Sequence, residues 1–142
     1  MKYNISSNLL EEYKNSVYKI LSPQIQIHLE ELNPKIDNLL VKYNALTWGF
    51  ISAYNPLSII QEDLINQKEN IKLKKNLLSD GYKIFDSLGF NKKGEYPLEK
   101  NFFILDIQLD RLNQLALEFK QNAFLYGKIS EKANLILTRE TL

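Results

Sequence analysis

The run from Leu46 to Tyr54 is almost continuously apolar and stops abruptly at Asn55 and Pro56. A run of this length predicts a central β-strand that is covered on both faces. Gly49 would weaken such a strand unless another part of the chain packs closely against its backbone. We therefore predict a sheet organised around this strand, which ends in a turn.

Apolar residues at helical spacing predict four helices. They cover Asn8–Leu21, Pro34 to about Asn44, Ser58 to about Gly81, and Asp110–Lys120. In the third helix, Ser58 and Gln61 stand in capping-box register and Gly81 lies where a C-terminal cap is expected. Its predicted buried stripe consists of Ile60, Leu64, Ile71, Leu77 and Leu78.

Strand signals occupy most of the remaining chain. Residues 24–29 alternate strictly, which is typical of a half-buried strand with Ile25 and Ile27 on its inner face. Further strands are predicted at 82–90, 101–107, 122–126 and 133–138, with a loop at 91–97. The last two strands are close enough along the chain to form a terminal hairpin.

The resulting order of elements is αβαβαββαββ. Helices interleaved with strands, followed by antiparallel pairs, favour an α+β or α/β fold with one mixed sheet of five to six strands. A chain of 142 residues without an internal linker is expected to form a single domain, residues 1–142.

Composition excludes several classes of function. The net charge is +1 and the basic residues are dispersed, which disfavours a dedicated nucleic-acid binder. The chain has no cysteine, so it can form neither a disulfide nor a thiolate zinc site. Because no apolar run resembles a signal peptide or a membrane helix, we expect a cytoplasmic protein without a membrane partner.

Motifs that would define a reaction are missing. His28 is the only histidine, so a two-histidine metal motif cannot form, and we expect no metal site. Its place on the polar side of an alternating strand favours a surface position over a role as catalytic base. Ser52 lacks the G-x-S-x-G context of a hydrolase nucleophile, and no glycine-rich phosphate loop occurs. Neither an enzymatic activity nor a cofactor can be assigned from these residues.

Four segments of the chain are informative when taken together: WGFISAYNP at 48–56, Glu69-Asn70, EKNF at 99–102 and FKQNA at 119–123. In this order they resemble the bacterial domain-of-unknown-function family numbered 3293. Members of that family typically show a phenylalanine-led run into Thr-Ala-x-Asn-Pro, a helix with Glu-Asn, a Glu-Pro-Ser-Phe segment and a Phe-Gly-Gln-x-Ala segment. The resemblance extends over about residues 24–137.

The chain departs from the family pattern at several positions. Ser52 stands where threonine is usual, Lys100 and Asn101 replace Pro-Ser, and Lys120 replaces glycine. The family has no assigned function, so the resemblance implies only which polar residues occur together. These are Ser52, Asn55, Asn70, Glu99 and Gln121.

These five residues fall at a strand end, on a helix, before a second strand and at the entry to a third. We expect them to converge at one edge of the sheet and to form a polar pocket for a small-molecule or nucleotide-like ligand. Asn55 and Gln121 would supply hydrogen-bonding amides, and Glu99 is the candidate acid or base. The alternative is a protein-interaction or regulatory module in which the same residues only lock turns. A nucleic-acid-associated accessory protein is the third hypothesis.

Overall fold

The computed structural model describes residues 6–93 and 98–140, which include four α-helices and seven strands. The helices are α1 (Ser7–Lys14), α2 (Pro34–Lys42), α3 (Asp63–Ser79) and α4 (Leu109–Glu118). The strands are β1 (Ser16–Ile20), β2 (Ile25–Ile27), β3 (Thr47–Ser52), β4 (Ile84–Asn91), β5 (Glu99–Leu105), β6 (Ala123–Lys128) and β7 (Asn134–Leu137). The fold is therefore α+β. Residues 94–97 of the predicted loop lie outside the described residues.

All seven strands join one sheet in the order β2-β1-β4-β5-β3-β6-β7. The six strand pairings among the described residues are antiparallel, so the expectation of a mixed sheet is wrong. The sheet also curls until its two edges meet. Leu29, just after β2, forms a parallel bridge with Ala133, just before β7, and the Glu30 amide donates to the Ala133 carbonyl at 2.8 Å.

The strand β3 lies inside the sheet between β5 and β6, and all six of its residues are buried. Trp48 and Phe50 point into a core that is closed by Ile36 and Leu40 of α2. Ile51 belongs to a second core on the opposite face. That core also contains residues of α3 and α4, namely Leu73, Leu77, Leu112 and Leu115. The prediction of a strand covered on both faces is confirmed.

Close packing explains two glycines in the sheet. A Cβ atom at Gly49 would lie 2.7 Å from Leu112 and 2.8 Å from Ile107, so α4 and the segment before it approach the β3 backbone directly. A Cβ atom at Gly127 would overlap the indole ring of Trp48, its partner across β3 and β6. Both helix and indole need the space that a side chain would fill.

The predicted helix Asn8–Leu21 is wrong in its second half. Helix α1 ends at Lys14, and β1 follows almost at once. Val17 and Ile20 fit helical spacing. Tyr18 and Ile20, however, also alternate as one face of a strand, and these two side chains are buried. As a strand, this segment hydrogen-bonds to both β2 and β4 and buries Tyr18 and Ile20 in the sheet. A short exposed helix would not bury these side chains. This extra strand is the reason the sheet has seven strands among the described residues.

The predicted start and buried stripe of the third helix are also wrong. Helix α3 begins at Asp63, and its N-cap residue Glu62 makes no capping hydrogen bond through its side chain. Within the predicted stripe, Ile60, Leu64, Ile71 and Leu78 are exposed, and Leu77 is buried. The buried side instead carries Asn66, Asn70, Leu73 and Leu77.

The predicted end of the third helix is confirmed. Gly81 has φ +85°, and its amide donates to the Leu78 carbonyl at 3.0 Å. The Tyr82 amide donates to the Leu77 carbonyl at 3.1 Å, which completes a Schellman motif. The predicted helices at 34–44 and 110–120, the central strand and the terminal hairpin are likewise present, with ends shifted by a few residues.

We predict that Gly127→Ala destabilises the fold by about 1–3 kcal/mol, because the added methyl group overlaps a tryptophan with no room to move. Trp48 is 2 % exposed and stacks on Phe103 at a ring distance of 5.3 Å. Urea denaturation followed by circular dichroism measures the loss. In a Trp48→Leu background the same substitution should cost much less. An equal cost in both backgrounds would contradict the overlap.

Candidate functional site

The turn after β3 is built around Asn55. This residue has a left-handed backbone (φ 47°), as do Leu57 and Ser58, and a short 3₁₀ turn at Pro56–Ser58 replaces the helix start that the sequence suggested. The main-chain N–H of Asn55 donates to Asn66 Oδ1 at 2.8 Å. In return, Asn55 Oδ1 accepts from Asn66 Nδ2 at 2.9 Å and from the Gln61 amide at 3.1 Å. The turn is thus tied to helix α3.

These contacts fix the orientation of the Asn55 side chain. Its oxygen faces the main-chain N–H of Gln61, which can only donate, so its nitrogen must point the other way. There Asn55 Nδ2 donates to Glu99 Oε2 at 2.8 Å. Asn55 therefore locks the turn and also presents an amide to Glu99.

Glu99 is the first residue of β5, and its half-buried carboxyl group lies beside Asn55. Burial raises the pKa of this carboxyl to about 7, and the hydrogen bond from Asn55 offsets part of that increase. None of the described residues forms an ion pair with it. Its pKa is therefore closer to neutral pH than that of an ordinary glutamate.

Ser52 and Gln121 hold backbone in place. Ser52 Oγ donates to the Lys100 carbonyl at 2.8 Å and accepts from the Tyr54 amide at 2.9 Å. Gln121 Nε2 donates to the carbonyls of Tyr54 and Phe119, both at 3.1 Å. Both side chains connect the end of β3 to its neighbours. With its oxygen engaged on both sides, Ser52 is unsuited to be a nucleophile.

Four of the five residues singled out in the sequence, all but Asn70, line one cavity of about 150 Å³. Glu99 and Asn55 stand at its polar end. Its walls are rich in aromatic residues, which are Tyr13, Tyr18, Phe50, Tyr54, Phe90 and Phe124. The expected convergence holds for these four side chains.

Asn70 does not join them. It faces a second cavity, which is also lined by Leu21, Ser87 and Phe102. Its Oδ1 atom is buried and has no hydrogen-bond partner within 6–93 and 98–140. The expectation that all five residues converge is therefore wrong for Asn70, because the turn of α3 that carries it faces a different part of the sheet.

Helix α1 contributes Leu9, Glu12 and Tyr13 to one side of the cavity, a contact that no sequence pattern predicts. The hydroxyl groups of Tyr13 and Ser58 are 3.0 Å apart, and Asn122 Nδ2 donates to Ser58 Oγ at 2.9 Å. Tyr18 donates to the Tyr13 carbonyl at 2.6 Å. Burial raises the pKa of the Tyr13 hydroxyl, Ser58 lowers it by its hydrogen bond, and Glu99 raises it further.

Sequence reasoning also missed Asn66 and Gln61. Asn66 precedes Asn70 by one helical turn, in line with the buried Leu73 and Leu77. This shared stripe was the available signal. Polar residues on a helix usually lie on the solvent side, so the sequence pattern alone assigns Asn66 and Asn70 there.

No group of three or more His, Cys, Asp or Glu residues that could hold a metal ion occurs in the described part of the chain. His28 is exposed, lines neither cavity, and lies 4.0 Å from Glu31, so its predicted surface position is confirmed.

Among the described helices, none is long and apolar enough to cross a membrane.

We predict that the pH dependence of stability changes in Glu99→Gln. Because folding raises this carboxyl's pKa from 4.5 to about 7, the folded chain binds the proton more tightly than the unfolded chain. The contribution of Glu99 to the free energy of unfolding should therefore fall between those two pH values, by up to about 3 kcal/mol. Glutamine keeps an oxygen for Asn55 and removes this loss.

Urea denaturation between pH 4.5 and 8 measures the effect as the difference between wild type and variant. Glu118→Gln, at an exposed residue, controls for the removal of one carboxylate. A difference that is independent of pH for Glu99→Gln would contradict the assignment.

Comparison with known proteins places the chain in a family. A model described as "Protein of unknown function (DUF3293)" matches residues 51–124, a shorter span than the 24–137 expected from the sequence. No match was found among curated proteins or solved structures. The matched span covers just over half of the chain and contains Ser52, Asn55, Asn70, Glu99 and Gln121. The chain therefore belongs to the DUF3293 family of proteins of unknown function.

Proposed function

We propose that this protein binds a small organic molecule in the cavity between α1 and the sheet, with Glu99 as the ionisable group that contacts the ligand. The observation that carries the proposal is the position of the Glu99 carboxyl group. It is half-buried next to an amide, without a cationic partner among the described residues, in the wall of a cavity rich in aromatic residues. A carboxyl group that loses much of its hydration without such a partner lowers stability, so its presence is best explained by a function.

Asn55 has a second part in this proposal. Its oxygen and main-chain amide are engaged by α3, so the position of its Nδ2 atom is set before any ligand arrives. Such a preorganised donor orients the Glu99 carboxyl group at no further cost in entropy. Ser52 and Gln121 contribute indirectly, because their side chains hydrogen-bond to the backbone that forms the cavity wall.

A binding role agrees with the size of the cavity. An engineered protein cavity of about 150 Å³ accepts a benzene molecule, so a ligand with roughly six to ten non-hydrogen atoms fits. Catalysis is compatible with the same site. A carboxyl group whose pKa is about 7 can both take up and release a proton at neutral pH, which makes Glu99 the candidate acid or base.

A thermal-shift screen against a panel of small metabolites tests the proposal. A ligand present at a hundred times its dissociation constant should raise the melting temperature by about 5–10 °C. The control variant is Ala123→Leu, which adds volume within the cavity wall on β6. It should stay folded by circular dichroism and lose the shift. A shift that persists in Ala123→Leu would locate the ligand elsewhere.

The second candidate function is self-association through α3. Leu64, Ile71 and Leu78 are 69 %, 53 % and 52 % exposed, and they recur at the heptad spacing that paired helices use. The start of the helix carries Glu62 and Asp63, and its second half carries Lys72, Lys74 and Lys75. Two copies of α3 packed antiparallel would bring these opposite charges together. A second copy of this chain is therefore the partner that the face fits.

For this candidate, we predict that the protein dimerises at micromolar concentration and that Ile71→Asp restores the monomer. Sedimentation velocity over a range of concentrations measures both. Val41→Asp, at an exposed apolar residue of α2, is the matched control and should leave the dimer intact. A wild-type protein that is monomeric at every concentration would rule out this face as an interface with a second copy.

A further inference from the structure

Among the described residues, the cavity wall contains the acidic side chains of Glu12 and Glu99 and no lysine, arginine or histidine. A ligand with a phosphate or carboxylate group would meet the like charge of the Glu99 carboxylate and lose part of its hydration. The wall is therefore unsuited to a phosphorylated nucleotide, which narrows the ligand class expected from the sequence.

Hydrogen-bonding groups at the polar end favour a ligand that donates. Asn55 supplies one N–H to Glu99 Oε2, and the other carboxyl oxygen receives no bond from the described residues. Nearby donors are largely committed elsewhere: Gln121 Nε2 and Ser52 Oγ point to main-chain carbonyls. The second Glu99 carboxyl oxygen is therefore an acceptor that a ligand can use. An ammonium group carries three N–H donors and no acceptor, which complements this arrangement.

Aromatic walls complete the complementarity. Tyr13, Tyr18, Phe50, Phe90 and Phe124 line the cavity, and aromatic rings attract cations through their negative faces. They also cover hydrocarbon. A buried carboxylate together with aromatic rings is the general chemistry by which proteins bind organic cations.

We propose that the ligand is a small primary amine, protonated when bound, with an aromatic or apolar body. Its ammonium group donates to the Glu99 carboxylate, and its body lies against the aromatic rings. This inference rests on the proposed function, because it assigns a ligand class to the same cavity. It goes further in excluding anionic ligands and in assigning the charge of the bound form.

Three probes of one shape separate the charge from the ring. Benzylamine is cationic at pH 8, benzyl alcohol is neutral and benzoate is anionic. Isothermal titration calorimetry on the wild-type chain should show benzylamine binding at least tenfold more tightly than benzyl alcohol, and benzoate not binding. Because these measurements use the wild type, they do not depend on the folding of any variant.

Glu99→Gln should reduce benzylamine affinity by about tenfold more than it changes benzyl alcohol affinity. Glu118→Gln, the exposed control, should bind all three probes as the wild type does. Equal binding of benzylamine and benzyl alcohol would overturn the amine inference and leave a neutral-ligand cavity intact. Preferential binding of benzoate, or no binding of benzylamine at millimolar concentration, would overturn it as well. If, in addition, no metabolite in the wider panel gives a shift that Ala123→Leu removes, the proposed function fails too.

Discussion

The side-chain amide of Asn55 is the contact on which the rest of the site depends. It joins three pieces of chain that are distant in sequence: the turn after β3, helix α3 through Asn66, and strand β5 through Glu99. An amide can do this because it carries both an acceptor and two donors on one rigid plane. Aspartate at this position would lose the donor, and it would place a second negative charge against Glu99. Asparagine also tolerates the left-handed backbone that the turn requires.

The parts of the fold that could be predicted are those in which local pattern and burial agree. Strand β3 is buried on both faces and reads as a continuous apolar run, and α4 places Leu112, Leu115 and Ala116 on one inward face. Strand β1 could not be separated from helix α1, because five residues with two buried positions satisfy either period. Helix α3 was misjudged for a different reason. Its inward side is part polar, with Asn66 and Asn70, whereas several of its apolar residues remain in solvent.

The site was only partly predictable for a physical reason as well. Ser52, Asn55, Glu99 and Gln121 were identified because a recurring family pattern names them together, and they do line one cavity. What each side chain does was not available from such a pattern, because its partner lies far along the chain. The Asn55 to Glu99 bond spans 44 residues and the Tyr13 to Ser58 contact spans 45. Tyr13 fits the helical spacing of the first helix, but periodicity does not identify its contact with Ser58.

The meeting of the two sheet edges bears on how the chain folds and remains dispersed. Leu29 and Ala133 are far apart in sequence, so the entropy of closing this loop is recovered only after most of the sheet has formed. Their pairing is consequently expected among the later events of folding, and before it both edge strands are open. Open edges recruit strands from other molecules, and the bridge between Leu29 and Ala133 covers the two edges where they meet. The curl of the sheet is thus expected to delay the last step of folding. In the folded protein it limits strand pairing with other molecules.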